Sequence, residues 1–594
     1  MTDMTPMMRQ YNNLKKQYPD CILLYRLGDF YECFHDDAKT LAKVLNITLT
    51  KRGKGENSHP MAGIPHHALN SYLHRLVKAG HKVAIAEQLE EPQAGKIVKR
   101  DVVKIITKGT VTDEKVLSES KNNYLGALVR LDPGSSPGQK LFEWGFSYAD
   151  LTTGEFKVKE YVTQSEDEIP GGLLSQIKKL EISELLLLDN LKILPKDSSI
   201  LIQKIEEEDV DYKDNLNRLK EHFNVKNLKG FGTEDSKVGI IAAGLIIMYL
   251  QDTQKSTLTH ITKIQKENEN YMQLDESTVR NLELLYPLNY QESEATLIGI
   301  IGNTNTAMGK RLVRKWLLNP LIDEKEIQAR LNSVEELYKD NMTLSKIQSS
   351  LGEIFDIERI LGKIGVGNVN ARDLLALRNS LEKATELIGL TKNLKGELIN
   401  LNKSLSKTII KTLDQVSKLI DDSIEEDPPH TITEGNIVKA EFSKEIKEIK
   451  DAMKKGKEWI SDLQTKEAKR TGITSLKVKF NRVFGYYIEV TKSNLDKVPE
   501  NYVRKQTLVN AERFITPELK EWEDKILNAE EKLIKLEYDA FVEIRDKIAE
   551  KTVEIQELAE KIAVLDVLAN FANMARLNRY SKPQLSVRAQ HVEP

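Results

Sequence analysis

The chain has 594 residues, enough for roughly four domains, and its 87 lysines and arginines against 90 aspartates and glutamates give a net charge of −3. This balance excludes a partner selected by overall charge, and two cysteines, Cys21 and Cys33, exclude a disulfide scaffold and favour a reducing, cytoplasmic environment. A secreted or membrane-spanning protein is not expected, because the N-terminus lacks a signal-type apolar core and the longest apolar stretch, residues 238–250, is short.

The first 115 residues predict a small α/β domain. Residues 5–18 and 34–45 have the apolar spacing of amphipathic helices. Residues 21–25 and 82–88 are short apolar runs typical of buried strands.

A second α/β unit is predicted over residues 124–255. Two strand-like runs, residues 142–151 and 155–161, flank Thr152-Thr153-Gly154 and predict a hairpin. Residues 184–188 predict a further strand, and residues 238–250 predict a buried helix.

From about residue 270 the sequence predicts long helices. No Pro or Gly occurs between Glu518 and Lys582, where an unbroken helix would reach roughly 90 Å. A heptad seam runs along its first part. The seam consists of Leu519, Trp522, Ile526, Ala529, Leu533, Leu536 and Ala540. A helical run over residues 440–469 precedes two strand-like segments that meet at Asn481-Arg482, so we expect an arm with a small sheet at its tip.

The segment from Leu27 to Glu32 is the first candidate site. Gly28 permits a turn, and Phe30 and Glu32 would point the same way if the segment is extended. An exposed ring can wedge between DNA bases, and a carboxylate can accept a hydrogen bond from a base edge. The residues alone leave open a core aromatic beside a surface acid.

Basic residues are concentrated in two places and predict contacts to DNA phosphates, which hold a duplex without reading its sequence. A solvated charged surface is the alternative. The group in the first domain comprises Lys51, Arg52, Lys54, Lys96, Lys99, Arg100 and Lys104. The group at the predicted tip comprises Lys477, Lys479, Arg482 and Lys492, with Asn481 in the turn.

Several segments, in order, resemble those of the MutS family of DNA mismatch-recognition proteins, over a span from Thr5 to about Tyr580. The N-terminal matching segments are residues 5–11 (TPMMRQY), 28–32 (GDFYE), 59–67 (HPMAGIPHH) and 76–90. The later ones are residues 275–285, 297–320, 366–381, 484–490 (FGYYIEV) and 502–520.

The resemblance implies a multidomain fold with an α/β mismatch-binding domain, an RNase H-like α/β connector, and a long α-helical lever. A clamp bearing a small β-sheet tip is inserted in the lever. The implied boundaries are 1–115 for the mismatch-binding domain, 124–255 for the connector, 265–395 and 511–580 for the lever, 396–510 for the clamp, and 581–594 for a truncated start of the ATPase domain.

The resemblance also implies residue roles and partners. Phe30 is similar to the aromatic residue that stacks on the mispaired base, Glu32 to the acid that hydrogen-bonds it, and Asn481 to a residue that contacts the DNA backbone. The implied substrate is duplex DNA with a mismatch or small loop, encircled and kinked by the protein. Full-length members use ATP and magnesium and recruit MutL.

No segment fits the phosphate-binding pattern G-x-x-x-x-G-K-[ST]. The nearest string, Gly302 to Arg311, has six residues between its glycines and an arginine after the lysine. We therefore expect a non-enzymatic DNA-binding fragment that holds no cofactor and whose self-association is weakened.

Three other functions compete with this one. A structural coiled-coil arm would leave the first 115 residues unexplained, and a MutS-like paralogue that binds recombination intermediates would lack the Phe30-Tyr31-Glu32 sequence. A nuclease would need more than Asp150 alone to bind magnesium. A metal site is not expected, because the spacing of the N-terminal histidines matches no zinc pattern. These are His59, His66, His67, His74 and His81.

Overall fold

The computed structural model describes residues 5–53, 58–90, 98–114, 116–132, 141–166, 168–188, 191, 193, 199–268, 270–289, 295–481 and 485–585. The chain divides into two compact units. The first comprises Met1–Asn368, Ser380–Leu413 and Ala549–Pro594, and the second comprises Val369–Asn379 and Asp414–Ile548.

The first unit begins with a six-stranded sheet of order β3-β4-β2-β1-β5-β6, in which only the β1–β5 pair is parallel. Its strands are β1 Cys21–Leu27, β2 Phe30–Phe34, β3 Thr50–Arg52, β4 His59–Pro65, β5 Lys82–Gln88 and β6 Arg100–Ile106. Helix α1 packs on one face, and α2 and α3 on the other. These helices are α1 Pro6–Gln17, α2 His35–Leu45 and α3 Leu69–Lys78. The predicted helices and strands of this region are confirmed.

A second six-stranded sheet has the order β11-β10-β7-β8-β9-β12. Its strands are β7 Tyr124–Leu131, β8 Phe142–Asp150, β9 Phe156–Thr163, β10 Glu184–Leu188, β11 Leu201–Ile205 and β12 Gln265–Lys266. The accompanying helices are α4 Leu173–Lys179, α5 Tyr212–Phe223 and α6 Lys237–Gln254. The predicted β8–β9 hairpin and the buried helix α6 are confirmed.

Helix α6 approaches the second sheet at glycines. A Cβ atom on Gly145 of β8 would lie 2.2 Å from the carbonyl oxygen of Val238, and one on Gly239 of α6 would lie 2.2 Å from Val158 Cγ2. The helix backbone therefore packs directly against the second sheet. The buried side chains of α6 and of this sheet belong to one hydrophobic cluster.

The rest of the first unit is helical, and α18 is buried along much of its length and packs against α9, α10, α11 and α12. A helix that is apolar all round is expected at a core centre. The helices wholly within this unit are α7 Glu276–Asn281, α8 Leu297–Ile301, α9 Ala307–Leu318, α10 Glu324–Lys339, α11 Asn341–Leu351, α12 Ile357–Gly365, α14 Leu401–Ser404 and α18 Thr552–Asn578. Two more helices, α13 Ala371–Thr391 and α15 Lys407–Ser423, each have residues in both units.

The second unit joins two long helices, α16 Lys444–Thr471 and α17 Pro517–Ala549, to a four-stranded sheet that we call the tip sheet. Its order is β13-β14-β16-β15. Its strands are β13 Lys477–Asn481, β14 Gly485–Thr491, β15 Val503–Thr507 and β16 Ala511–Ile515. Trp459 and Trp522 stack between the helices with ring centroids 4.9 Å apart.

The run without Pro or Gly over residues 518–582 forms two helices, so it does not reach the roughly 90 Å of an unbroken helix. Helix α17 ends at Ala549 and α18 begins at Thr552, so each spans roughly 40–50 Å. The break carries neither Pro nor Gly, and the Thr552 hydroxyl donates a hydrogen bond to the carbonyl of Ala549 there. The end of α17 is therefore not marked by a helix-breaking residue in the sequence.

The heptad seam is confirmed only in part. Leu519, Ile526 and Leu533 are buried, but the row that α17 buries also includes two glutamates, Glu523 and Glu537. The second helical run, β13 and β14 are confirmed, whereas residues 511–515 form a strand of the tip sheet ahead of α17. The division of the helical region into lever and clamp stays a prediction.

Candidate nucleic-acid interface

Phe30 lies directly after the tight turn that joins β1 to β2. Gly28 in this turn has φ = +58°, a conformation that favours glycine. The Asp29 carbonyl in this turn accepts a hydrogen bond from the backbone amide of His66 at 2.9 Å, which ties the turn to the residue after β4. The Phe30 side chain is 48% exposed, so the fold presents this ring to solvent.

Strand alternation places Phe30, Glu32 and Phe34 on one face of the first sheet, while Tyr31 and Cys33 are buried on the other. Helix α1 covers the Phe34 end of that face, where the rings of Tyr11 and Phe34 lie 4.9 Å apart. Phe34 is therefore a core aromatic residue, whereas Phe30 lies at the end of this face that α1 does not cover.

Glu32 is paired with a cation from the edge of the sheet. The Arg52 guanidinium on β3 lies 2.6 Å from Glu32 Oε2, and the two side chains are 47% and 17% exposed. Gly63 of β4 is the register partner of Glu32, and a Cβ atom there would lie 3.4 Å from Glu32 Cγ. The closest atom to that Cβ would be the Tyr31 carbonyl oxygen at 3.1 Å, so a larger residue at 63 would crowd the backbone of β2 next to Glu32.

A polar cluster braces the turn from the opposite face, and sequence reasoning missed it. The Tyr31 hydroxyl donates a hydrogen bond to Glu87 of β5, and the Arg26 guanidinium lies 5.6 Å from the Tyr31 ring centroid. Arg26 also donates to the Gly28 carbonyl. Burial, and then the neighbouring Glu87 carboxylate, raise the pKa of Tyr31 above its ordinary value, which favours the protonated hydroxyl that donates in this contact. Glu87 is far along the chain, and only the β1–β5 pairing brings it here.

Lys51 and Arg52 are exposed neighbours on β3, but they occupy opposite faces of the sheet. Lys51 is in register with Pro60 and Arg52 with His59, and successive residues of a strand alternate in direction. Arg52 alone of the two therefore shares the face of Phe30 and Glu32.

The prediction of a phosphate contact is wrong for Arg100, one member of the basic group in the first domain. Arg100 is buried, donates to the Arg26 carbonyl at 2.7 Å and stacks over the Tyr25 ring. Lys104 is half-buried, and burial lowers its pKa to about 8. Lys54 and Lys96 lie outside the described residues.

The tip sheet carries the second basic group. Lys477, Lys479 and Asn481 alternate along β13 and share one face. Lys479 pairs with Glu489 across the hairpin at 2.8 Å, and this contact raises the pKa of the lysine. Arg482 lies outside the described residues.

The same face gains a cation that the sequence analysis did not select. Arg513 of β16 is in register with Glu489 and lies 4.3 Å above the ring of Tyr487. Arg513 lies next to the β13–β14 hairpin because β16 pairs with β14, and the residues around Arg513 in the sequence do not indicate this pairing. The face therefore combines lysines, an arginine and an aromatic ring.

Asp150 has a structural environment. Its carboxylate accepts hydrogen bonds from Asn122 Nδ2 at 2.7 Å, and from the amide and hydroxyl of Thr152 at 2.8 and 2.7 Å. These bonds fix the loop of the β8–β9 hairpin. Across the residues that the structure describes, no group of three His, Cys, Asp or Glu side chains is placed to hold a metal ion.

The string from Gly302 to Arg311 runs from the C-terminal cap of α8 through a short connection into the first turn of α9. A carboxyl group of the chain itself lies at the N-terminus of α9. Asp566 Oδ2 accepts hydrogen bonds from the amide and the hydroxyl of Thr306, both at 2.7 Å. A Cβ atom on Gly309 would lie 2.3 Å from that oxygen. The glycine thus makes room for Asp566, whose carboxyl group accepts hydrogen bonds at the start of the helix and whose pKa is raised by burial.

No helix within the described ranges is both long and apolar enough to cross a membrane.

Comparison with known sequence families gives three matches that together span most of the chain. The model of MutS domain I matches residues 5–115, that of MutS domain II matches residues 123–262, and that of MutS domain III matches residues 277–572. The first match contains the whole of the first sheet with Phe30 and Glu32.

Curated proteins similar to the chain carry one name, DNA mismatch repair protein MutS. The protein from Alkaliphilus metalliredigens is 44% identical over 598 residues, and that from Halothermothrix orenii is 43% identical over 598 residues. The Methanosarcina mazei protein is 40% identical over 602 residues. Each alignment covers 99% of this chain and 66%, 64% and 66% of the respective relative.

Proposed function

The chain belongs to the MutS family, of which it carries domains I, II and III, and we propose that it binds duplex DNA at mismatches or small loops. The exposed Phe30 beside Glu32, at the uncovered end of the first sheet, carries this proposal. Singly exposed apolar side chains are common on protein surfaces, so exposure alone does not indicate binding; the support comes from the position of the ring beside Glu32 within the stretch that matches MutS domain I.

The proposed mechanism selects weak base steps by their deformability. Insertion of the Phe30 ring unstacks the bases and kinks the duplex, at a cost of a few kcal/mol that is smaller where a pair is already defective. Stacking of a base on the ring returns about 1–3 kcal/mol. Because this balance does not depend on a base code, one side chain serves many mismatches.

Glu32 contributes a hydrogen-bond acceptor to the mispaired base. Mispaired bases expose N–H groups that a Watson–Crick pair would engage, and a carboxylate accepts from them. On an intact duplex no base N–H is free to bind this carboxylate, so Glu32 adds affinity only at a mispair.

The proposed backbone contacts lie at the first sheet and at the tip sheet. Lys51 and Arg52 at the edge of the first sheet, and Lys477, Lys479, Asn481 and Arg482 at the β13–β14 hairpin, would position the duplex through its phosphates. We further propose that full-length relatives add ATP, magnesium and MutL to this binding step, and that these 594 residues bind DNA without hydrolysing ATP.

The first test compares Phe30→Ala with the parent chain on matched duplexes with and without a G·T pair. We expect Phe30→Ala to lose affinity for the G·T duplex by about 1–3 kcal/mol and to bind the homoduplex almost as before. Fluorescence anisotropy with labelled duplex measures both constants.

Phe355→Ala is the matched control, because Phe355 is a similarly exposed phenylalanine, 53% accessible, outside the first sheet. It should leave both affinities unchanged. An equal loss on both duplexes in Phe30→Ala would overturn ring insertion, and a preference for branched over mismatched DNA would favour the paralogue function.

A further inference from the structure

The Glu32–Arg52 ion pair joins a base-directed group to a phosphate-directed one. Both side chains belong to the face of the first sheet that carries Phe30. Within the described parts of the chain, Arg52 is the cation that pairs with Glu32, at 2.6 Å. Phe30 is two residues from Glu32 on the same strand, so an inserted ring would bring both charges to the DNA.

This ion pair is open to exchange. Nearly half of the Arg52 side chain is exposed, and the contact runs through a single nitrogen to a single oxygen. Glu32 is largely buried, at 17% exposed, but the exposed guanidinium is open to salt and to competing anions, and a single contact lacks the second hydrogen bond of a bidentate pair. A guanidinium also binds phosphate oxygens well, so a duplex on this face competes directly for Arg52.

We propose that Arg52 is a specificity-determining residue that exchanges partners only at a mispair, an inference that rests on the proposed function. On an intact duplex no base N–H is free to replace the guanidinium, so Glu32 keeps Arg52 and the pair is neutral. At a mispair, an exposed base N–H takes the Glu32 carboxylate. Arg52 is then released and binds a phosphate.

The exchange makes the phosphate contact of Arg52 conditional. Each phosphate that a protein neutralises adds about one unit to the slope of log affinity against log salt. Arg52 therefore contributes to the slope on mismatched DNA and contributes nothing on homoduplex. A simple phosphate contact would contribute equally to both.

The experiment measures salt slopes for Arg52→Gln on homoduplex and G·T duplex, in the parent chain and in Glu32→Gln. In the parent chain, Arg52→Gln should lower the slope by about one unit on the G·T duplex and leave the homoduplex slope unchanged. In the Glu32→Gln chain, where Arg52 has lost its carboxylate partner, the Arg52→Gln substitution should lower the slopes on both duplexes by about one unit.

Two controls keep the result specific to the pair. Lys51→Gln removes the same charge from the neighbouring position on the opposite face, and its effect on the slope should be the same for both duplexes. Arg52→Lys preserves the charge and should preserve both parent slopes.

Equal slope changes on the two duplexes with Glu32 present would overturn the exchange, as would no change on either. If the parent chain itself binds the G·T duplex no more tightly than the homoduplex, the proposed function is overturned. The two failures are therefore distinguishable.

Discussion

At the scale of single residues, the candidate site depends on the glycine that turns the chain. Gly28 adopts φ = +58°, and a Cβ atom placed on it would meet nothing within 4 Å. The requirement at this position is therefore conformational and not steric. The turn sets the direction in which β2 begins, and Phe30 is its first residue.

We expect Gly28→Ala to destabilise the protein by about 1 kcal/mol, because an L-residue with a Cβ is strained at positive φ. Urea unfolding measures the change. Gly230→Ala is the control, since Gly230 is equally open but has an ordinary backbone conformation, and its effect should lie within about 0.5 kcal/mol of zero. A stabilised Gly28→Ala would contradict the strain argument.

At the scale of elements, the tip sheet gathers charge from strands that are distant in sequence. Lys479 and Arg513 both approach Glu489, at 2.8 and 3.8 Å, so this carboxylate holds two cations on one face. The Arg513 guanidinium also lies 4.3 Å from the centroid of the Tyr487 ring, a favourable cation–π contact. The result is a positively charged surface whose members are held in place.

Charge reversal at the tip, Lys479→Glu with Arg482→Glu, should weaken binding to all duplexes alike. The slope of log affinity against log salt should fall by roughly one unit for each phosphate that the tip no longer neutralises. Titration at several salt concentrations measures it.

Lys444→Glu is the matched control for the tip, because Lys444 is exposed at the opposite end of α16, roughly 40 Å along the helix. Its salt slope should equal that of the parent chain. An unchanged slope in the tip variant would place the tip away from DNA.

At the scale of the whole molecule, ion pairs join the second sheet to the helical core of the first unit. Glu155, beside β9, pairs with Lys315 of α9 and accepts a hydrogen bond from the Tyr124 hydroxyl at 2.8 Å. Burial by itself raises the pKa of Glu155, but Lys315 and Lys157 outweigh it and lower that pKa to about 2. This carboxylate therefore contributes to stability in its charged form.

We expect Glu155→Gln to cost about 1–3 kcal/mol at pH 7. The folded pKa lies below the unfolded value of about 4.3, so the contribution is complete above that value and is lost as the pH falls towards 2. The difference between variant and parent should narrow over this interval, as urea unfolding followed by circular dichroism will measure.

Glu276→Gln is the control for this pair, since Glu276 and Lys178 are both more than half exposed and an exposed pair contributes little. A cost for Glu155→Gln that is independent of pH would contradict the assignment of the stabilisation to the carboxylate charge.

We expect a polypeptide of these 594 residues to hydrolyse no ATP. The chain contains no G-x-x-x-x-G-K-[ST] segment, and Asp566 already occupies the position before α9 in the nearest string. A coupled assay for released phosphate tests this, with a full-length relative as the positive control. Turnover that scales with the concentration of the purified chain would refute it.

The sequence determined the features that depend on neighbouring residues. Period-2 and period-3.6 patterns predicted most of the strands and helices, the glycine predicted the turn before Phe30, and the spacing of Phe30 and Glu32 predicted their common direction. Ordered motifs also indicated the family before any fold was known. All of these signals are local in the chain.

Tertiary structure alone decided what surrounds those residues. Burial of Arg100, the pairing of Arg52 with Glu32, and the place of Arg513 in the tip sheet follow from strand order and register, which bring distant segments together. The break after Ala549 carries no helix-breaking residue in its sequence. Helix propensities differ by only fractions of a kcal/mol between most residues, whereas packing of an element against its neighbours contributes more. Tertiary packing can therefore override the local preference of a segment.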